Sequence, residues 1–401
     1  MRVSTIHSMT PSDILPFHRP LSSHEDAHEQ PRAGGGTGIV MMNLGGPATL
    51  DEVEPFLLRL FADKEIIQLP WQDVVGKFIA TRRAPKVRKL YDAIGGGSPI
   101  LTWTKAQGQA MCARLDEMSP STAPHKFYVS FRYVTPLADD ALQAMKADGI
   151  TRAVAFTQYP QWSCATTGSS LNDLWRALDR TGLQDAFTWS IIDRWGEHDG
   201  FVRAMASAID DGLEQYPEHE RDDVLVLFSA HSLPLKVIDR GDAYPAEIAA
   251  SVSRVVQAAE LRNPYMLCYQ SSVGPVRWMG PSTETMIRQL AARGQKNVLV
   301  VPIAFTSDHI ETLSEIDIEY AELAHSLGMT GFRRSPSLNA RTDFLDALAD
   351  IVNCHLESGQ PHSSQYKQHC PGCTNTACRS LPSKMAKSAT CAAPVEPAAS
   401  R

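Results

Sequence analysis

The sequence predicts an α/β fold of two similar Rossmann-like halves, parallel sheets flanked by helices, followed by a cysteine-rich C-terminal extension. Three observations carry this. Between Gly38 and Leu356, short and nearly continuous apolar runs alternate with longer segments of helical period. Such runs lack a polar face, so both sides of the strand must be covered, as in a parallel sheet with crossover helices. The pattern breaks near 193–200 and starts again, which divides it into a first domain at 38–200 and a second at 201–356. Finally, a polar stretch follows each apolar run, where doubly wound sheets place ligands beyond the carboxyl ends of their strands.

Residues 1–37 come first, with Pro11, Pro16, Pro20 and Pro31 and then Gly34-Gly35-Gly36, and are expected to be a leader or a disordered arm. A mitochondrial presequence is Arg-rich and poor in acids. Arg2, Arg19 and Arg32 fit that, whereas Asp13, Glu25, Asp26 and Glu29 do not. The first strand is Ile39-Val40-Met41-Met42, leading into Asn43-Leu44-Gly45-Gly46-Pro47. Then come Phe127-Tyr128-Val129-Ser130-Phe131 before Arg132-Tyr133, and Ala153-Val154-Ala155-Phe156 before Thr157-Gln158-Tyr159-Pro160. In the second half, Val224-Leu225-Val226-Leu227-Phe228 precedes Ser229-Ala230-His231-Ser232-Leu233-Pro234. Tyr265-Met266-Leu267-Cys268-Tyr269 precedes Gln270-Ser271-Ser272, and Val298-Leu299-Val300-Val301 precedes Phe305-Thr306-Ser307-Asp308-His309. Helical period covers 136–147, 171–180, 246–261 and 282–292. Residues 357–379 form the extension, and the Ala-, Ser- and Pro-rich 380–401 should fray.

Composition narrows the function. A formal net charge of -7 leaves no basic excess to hold nucleic acid. Eight cysteines without regular spacing or a secretory signal suit a reducing compartment. No apolar run reaches the roughly 18 residues of a membrane span. Gly45-Gly46-Pro47 is not a dinucleotide fingerprint, no P-loop lysine motif is present, and no G-x-S-x-G elbow activates a serine.

Four constellations remain. His231 follows a buried strand and lies between neutral neighbours, which suits a proton acceptor near neutral pH; a hydrogen-bonded structural histidine is the plainer alternative. Glu311, Glu315 and Glu319 recur every fourth residue, so a helix starting near Asp308 arrays them on one face. On a surface that stripe is unremarkable. Behind an apolar strand it becomes a path for cations or protons, since buried carboxylates must bind one or the other. Leu69-Pro70-Trp71-Gln72-Asp73-Val74-Val75-Gly76-Lys77-Phe78-Ile79 precedes Arg82, Arg83, Lys86, Arg88 and Lys89, which suits an anionic membrane surface or a buried helix with a solvated basic end. Cys370, Cys373 and Cys378, spaced C-x2-C-x4-C around Pro371 and Gly372, can converge on one soft metal, and three ligands call for a fourth.

Together with Ile94-Gly95-Gly96-Gly97-Ser98-Pro99, these segments closely resemble the ferrochelatase family from Gly38 to Arg379. The resemblance implies insertion of Fe2+ into protoporphyrin IX with release of two protons, giving protohaem. It places His231 against the macrocycle with Glu311 opposite or beside it, the pair acting jointly in deprotonation and metal delivery. It puts His309 at the porphyrin, with Asp308, Glu315 and Glu319 along a proton or metal path. Phe305 and Trp278 would wall the ring. Leu44, where animal relatives have methionine, and Tyr91, Arg132 and Tyr133 match other pocket positions, where polar and cationic groups suit propionates. The tail resembles the cluster-bearing branch, which implies a [2Fe-2S] cluster on Cys370, Cys373 and Cys378 with Cys164 as fourth ligand; Cys354 and Cys391 stay open as competitors. The family further implies a homodimer held peripherally on the matrix side of the mitochondrial inner membrane, its 69–79 lip touching lipid. Rival readings are a coproporphyrin ferrochelatase, a chelatase for another metal or tetrapyrrole, a porphyrin or haem carrier without turnover, and a cluster-based redox sensor.

Overall fold

The computed structural model describes residues 35–375 and Cys378, the Lys367 side chain excepted. The expected leader, apart from its last three residues, the 380–401 tail and Cys391 lie outside the described residues. The run around Ile39 is the buried middle of strand β1 (Gly35–Asn43). Helices α1 (Val53–Ala62), α2 (Gln72–Ala93) and α3 (Ile100–Met118) follow. Then come β2 (His125–Phe131), α4 (Ala138–Ala147), β3 (Ile150–Thr157), α5 (Ser169–Thr181) and β4 (Thr188–Ile192). The four strands form a parallel sheet in the order β2-β1-β3-β4.

The second half repeats the plan. Helix α6 (Asp199–Glu214) leads to β5 (Leu225–His231), α7 (Leu235–Asp239), α8 (Tyr244–Ala258), β6 (Tyr265–Gln270), α9 (Thr283–Ala292) and β7 (Asn297–Pro302). After α10 (Ala321–Ser326) and β8 (Gly331–Arg334), the chain ends its second half in α11 (Thr342–Ser358). Its sheet, also parallel, runs β6-β5-β7-β8. In both sheets the connections reverse direction beside the first strand, so β1 and β5 flank the switch points where α/β proteins hold ligands.

The fold class is as expected, and all six apolar runs are strands. Two strands went unforeseen. β4 and β8 are short edge strands of mixed polarity, Thr-Trp-Ser-Ile-Ile and Gly-Phe-Arg-Arg, without a continuous apolar run to mark them. The helix expected from Asp308 is a correction of another kind: residues Glu311–Tyr320 wind as a π-helix, whose wider turn a four-residue recurrence does not distinguish from an α-helix.

One apolar core joins the two halves. It takes Ile39, Met41 and Phe156 from the first sheet, Val226, Phe228 and Leu299 from the second, and Phe344 and Leu348 from α11. α11 lies against both α3 and α6, and Gln107 of α3 donates to the Asn339 carbonyl at 2.8 Å just ahead of it.

Candidate active site and thiol cluster

β5 delivers His231 to the carboxyl edge of the second sheet, in register with Gln270 of β6. The imidazole Nδ1 lies 2.6 Å from the Ser232 carbonyl oxygen. A carbonyl only accepts, so Nδ1 carries the proton and the neutral ring keeps its lone pair on Nε2, the arrangement of a base. Gln270 is buried, and the Ser229 hydroxyl donates to its Oε1 at 2.8 Å, which fixes the amide orientation. Its Nε2 then donates to the Glu311 carbonyl at 3.0 Å and to Glu315 Oε2 at 2.9 Å. One buried amide thus brings the carboxylate helix to the strand end that carries the imidazole.

Along that helix the three glutamates have different surroundings. Glu311 is half-buried, with its Oε2 3.3 Å from His309 Nε2, an ion pair when the ring is protonated. Glu315 accepts from the Ser271 amide at 2.7 Å and the Tyr320 hydroxyl at 2.8 Å besides Gln270, which fixes the carboxylate in place. Glu319, further out, is pushed above the usual carboxylate range by partial burial and by the charge of Glu315. The ring of His309 stands 4.7 Å from that of Phe305, centroid to centroid, with its Nδ1 on the Ser307 carbonyl at 2.8 Å.

Asp308 does not stand free on this path. It binds Arg334 Nη1 at 3.1 Å and accepts from Ser337 Oγ and Asn339 Nδ2 at 2.7 Å each and Thr312 Oγ1 at 3.1 Å. Burial alone would raise its carboxyl, but Arg334 and these donors outweigh it and hold the group below the usual range. It braces the start of the carboxylate helix. A cavity of about 390 Å³ beside Asp308 and Leu313 faces the 94–99 loop and includes neither His231 nor Glu311.

The side chains expected to meet propionates have partners within the protein. Tyr91 is only 3% exposed, and burial with the charge of nearby Glu311 keeps its phenol protonated. The Arg132 guanidinium is buried against Asp63, lies 3.6 Å from Asp173 and covers the Tyr133 ring; the Tyr133 hydroxyl donates to Asp63 at 2.7 Å. Two carboxylates already balance that charge, and Nε and Nη1 are both buried without a hydrogen-bond partner among the described residues. The Leu44 carbonyl accepts from the Arg132 and Tyr133 amides at 3.3 Å each, so this trio is one unit at the end of β1. Gly45, at φ 76°, allows the turn that makes it: a Cβ there would meet Val134 at 2.6 Å. Trp278 is half-buried on the loop after β6, and its indole donates to the Val273 carbonyl at 2.9 Å.

Cys164, Cys370 and Cys378 come near one another at a second place. Cys164 opens a π-turn at Cys164–Gly168, and its amide donates to Asp242 Oδ2 at 2.8 Å. The tail loop docks on the same segment, with the Gly372 amide donating to the Arg240 carbonyl at 2.9 Å. A Cβ on Gly241, at φ 91°, would come within 2.5 Å of Pro371. Burial, Asp242 and then the neighbouring Cys370 and Cys378 all push the Cys164 thiol up. Asn375 of the tail loop also donates to Glu65 at 3.1 Å, at the base of the lip. Cys354 is grouped instead with His198 and Asp350 on α11 and the start of α6. Gln270, Ser271, Tyr320 and Asp242 are the residues that sequence reasoning missed as parts of these sites. Each acts through a partner more than 40 positions away or, for Tyr320, on the same irregular helix; the post-strand pattern put Gln270 and Ser271 near the cleft without giving them a role.

A ferrochelatase family model matches residues 36–356. The mitochondrial ferrochelatase of Xenopus laevis is 51% identical over 361 residues, 90% of this chain and 88% of that one. The mitochondrial ferrochelatases of Homo sapiens and Schizosaccharomyces pombe are each 51% identical, over 86% of this chain and 81% of theirs. Among solved structures, SirB from Bacillus subtilis with Fe3+ aligns over 81% of this chain and 98% of its own at 11% identity and a TM-score of 0.46, too distant to bear on the chemistry.

Proposed function

The chain belongs to the ferrochelatase family and inserts Fe2+ into protoporphyrin IX to give protohaem, and we propose that His231 and Glu311 jointly carry that chemistry. The observation that supports the pair is Gln270, which ties the end of the imidazole strand to the first turn of the carboxylate helix. The porphyrin core must lose two N–H protons as the metal sheds water and binds four nitrogens. His231 Nε2 takes a pyrrole N–H proton as the metal binds the ring nitrogens, which offsets the weak acidity of that N–H. Glu311 and Glu315 attract the dication and drain protons outward past Glu319. Phe305, His309 and Trp278 wall the ring, with Leu44, Tyr91, Arg132 and Tyr133 across from them. Arg132, whose Nε and Nη1 lack hydrogen-bond partners among the described residues, is the cation for a propionate.

The thiol set fits a metal cluster, and we assign Cys164, Cys370, Cys373 and Cys378 to a [2Fe-2S] centre. A thiol pushed up by burial and by Asp242 becomes a thiolate only beside positive charge, which a metal supplies. Bound there, the cluster adds one-electron chemistry and a cross-link between tail and body. Cys164 and the docked tail loop hold the donors for it.

The lip supports peripheral membrane contact. Trp71, Val74 and Phe78 recur along one helical face and are 83%, 71% and 66% exposed, above a basic stretch. No described helix is long and apolar enough to cross a membrane. The named relatives are mitochondrial, and we place this protein in the mitochondrion, on the matrix side of the inner membrane; the homodimer rests on family membership alone. Anaerobic incubation with Fe2+ and either protoporphyrin IX or coproporphyrin III tests the reading. Haem formation faster from protoporphyrin supports it, faster coproporphyrin turnover moves the enzyme to the other branch, and binding without insertion makes it a carrier.

A further inference from the structure

Four consecutive residues fasten the segment at 161–164 along α8 and the loop before it. Gln161 Nε2 donates to Ser251 Oγ at 3.0 Å, the Trp162 amide to Glu247 Oε2 at 3.2 Å, and Ser163 Oγ and the Cys164 amide to Asp242 Oδ2 at 3.2 and 2.8 Å. Asp242 is 6% exposed, and its other oxygen accepts from the Tyr244 amide at 2.9 Å, at the first turn of α8. Tyr244 is buried in the core beside Phe228, Ala230 and Leu233, the residues that flank His231 on its strand and loop. Burial pushes its hydroxyl up, and the nearby His231 backbone pulls the other way. A continuous chain therefore runs from the Cys164 loop through Asp242 and Tyr244 to the proposed base.

We infer that Asp242 is a positioning residue, whose carboxylate joins the Cys164 loop to α8 and so holds His231 in its working place. The inference rests on the assignment of His231 above. Because one carboxylate serves both ends, loosening the thiol loop loosens the imidazole, and chelation responds to the state of the tail. The distance over which a base acts is short, and a displacement of about 1 Å lowers such rates by about a hundredfold.

The test compares Asp242→Ala, Asp242→Asn and Tyr244→Phe in the full chain, reading kcat, KM for protoporphyrin, porphyrin affinity by fluorescence quenching, and the visible absorbance of the thiolate centre. Asp242→Ala should lower kcat by about tenfold or more with KM and porphyrin affinity nearly unchanged, and Asp242→Asn, which keeps one acceptor, should recover part of it. Tyr244→Phe, which leaves every tail contact in place, should lower kcat by about threefold with full visible absorbance. Should Asp242→Ala fail to fold, Tyr244→Phe and Asp242→Asn decide alone. Unchanged kcat in those variants, or losses confined to absorbance or melting temperature, overturns the inference. His231→Ala in parallel separates the two claims: turnover surviving there removes the underlying assignment, whereas turnover lost there but intact in the Asp242 and Tyr244 variants removes only this one.

Discussion

Among single residues, Gln270 makes the most specific demand. It is 1% exposed, and its amide is oriented by Ser229 so that it can hold Glu311 and Glu315 beside the strand that ends in His231. Gln270→Ala removes two donors from the carboxylate helix and should lower kcat by about tenfold to a hundredfold, with porphyrin affinity little changed. Steady-state kinetics beside fluorescence titration measures both; an unchanged kcat would mean that the helix is set by its other contacts. The residues proposed to carry the chemistry were picked out from the sequence. His231 is marked by its place after an apolar strand, and the glutamates by their recurrence. Gln270 was placed by the same rule, in the polar stretch after its strand, but its role was not, because that role lies in partners 41 and 45 positions away.

Two elements carry testable roles of their own, the first being the N-terminal turns of α2. A buried Gln72 holds their base, accepting from the Leu69 amide at 2.9 Å and donating to the Phe61 carbonyl at 2.6 Å, while Trp71 and Phe78 face outward. A double Trp71→Glu, Phe78→Glu variant should lose binding to anionic liposomes by at least about tenfold in a flotation assay while keeping turnover of detergent-dispersed porphyrin. Binding that persists would assign the stripe to protein contact. The second element is the Cys164–Gly168 turn with the tail docked on it. Cys164→Ser should abolish the visible absorbance of the purified protein, and colour that survives would place the fourth ligand elsewhere. The thiol spacing made the tail readable, whereas the π geometry of both this turn and the carboxylate helix was not: a wider turn changes the hydrogen-bond step and leaves the residue types untouched.

On the scale of the whole molecule, the repeated parallel sheet was legible because strands covered on both faces leave continuous apolar runs. Edge strands β4 and β8 escaped for want of such runs, and the sharing of one core by both halves escaped because it depends on α11 returning to α3. Phe344 stands at that junction, fully buried, 28° from coplanar with Trp195 at 6.2 Å between ring centroids. Phe344→Ala should destabilise the protein by about 3–5 kcal/mol, read as a shift of the denaturant midpoint. A shift under about 1 kcal/mol would mean that the core can close over the vacancy. The central claim is that this shared frame presents His231 Nε2 to the porphyrin as its base. It is tested most directly by His231→Ala, followed anaerobically with Fe2+ and protoporphyrin IX, with porphyrin binding read from the same sample. Haem formation should fall by about a hundredfold to ten-thousandfold while porphyrin still binds and the visible absorbance of the thiolate centre persists. Wild-type rates of haem formation in that variant would contradict the account.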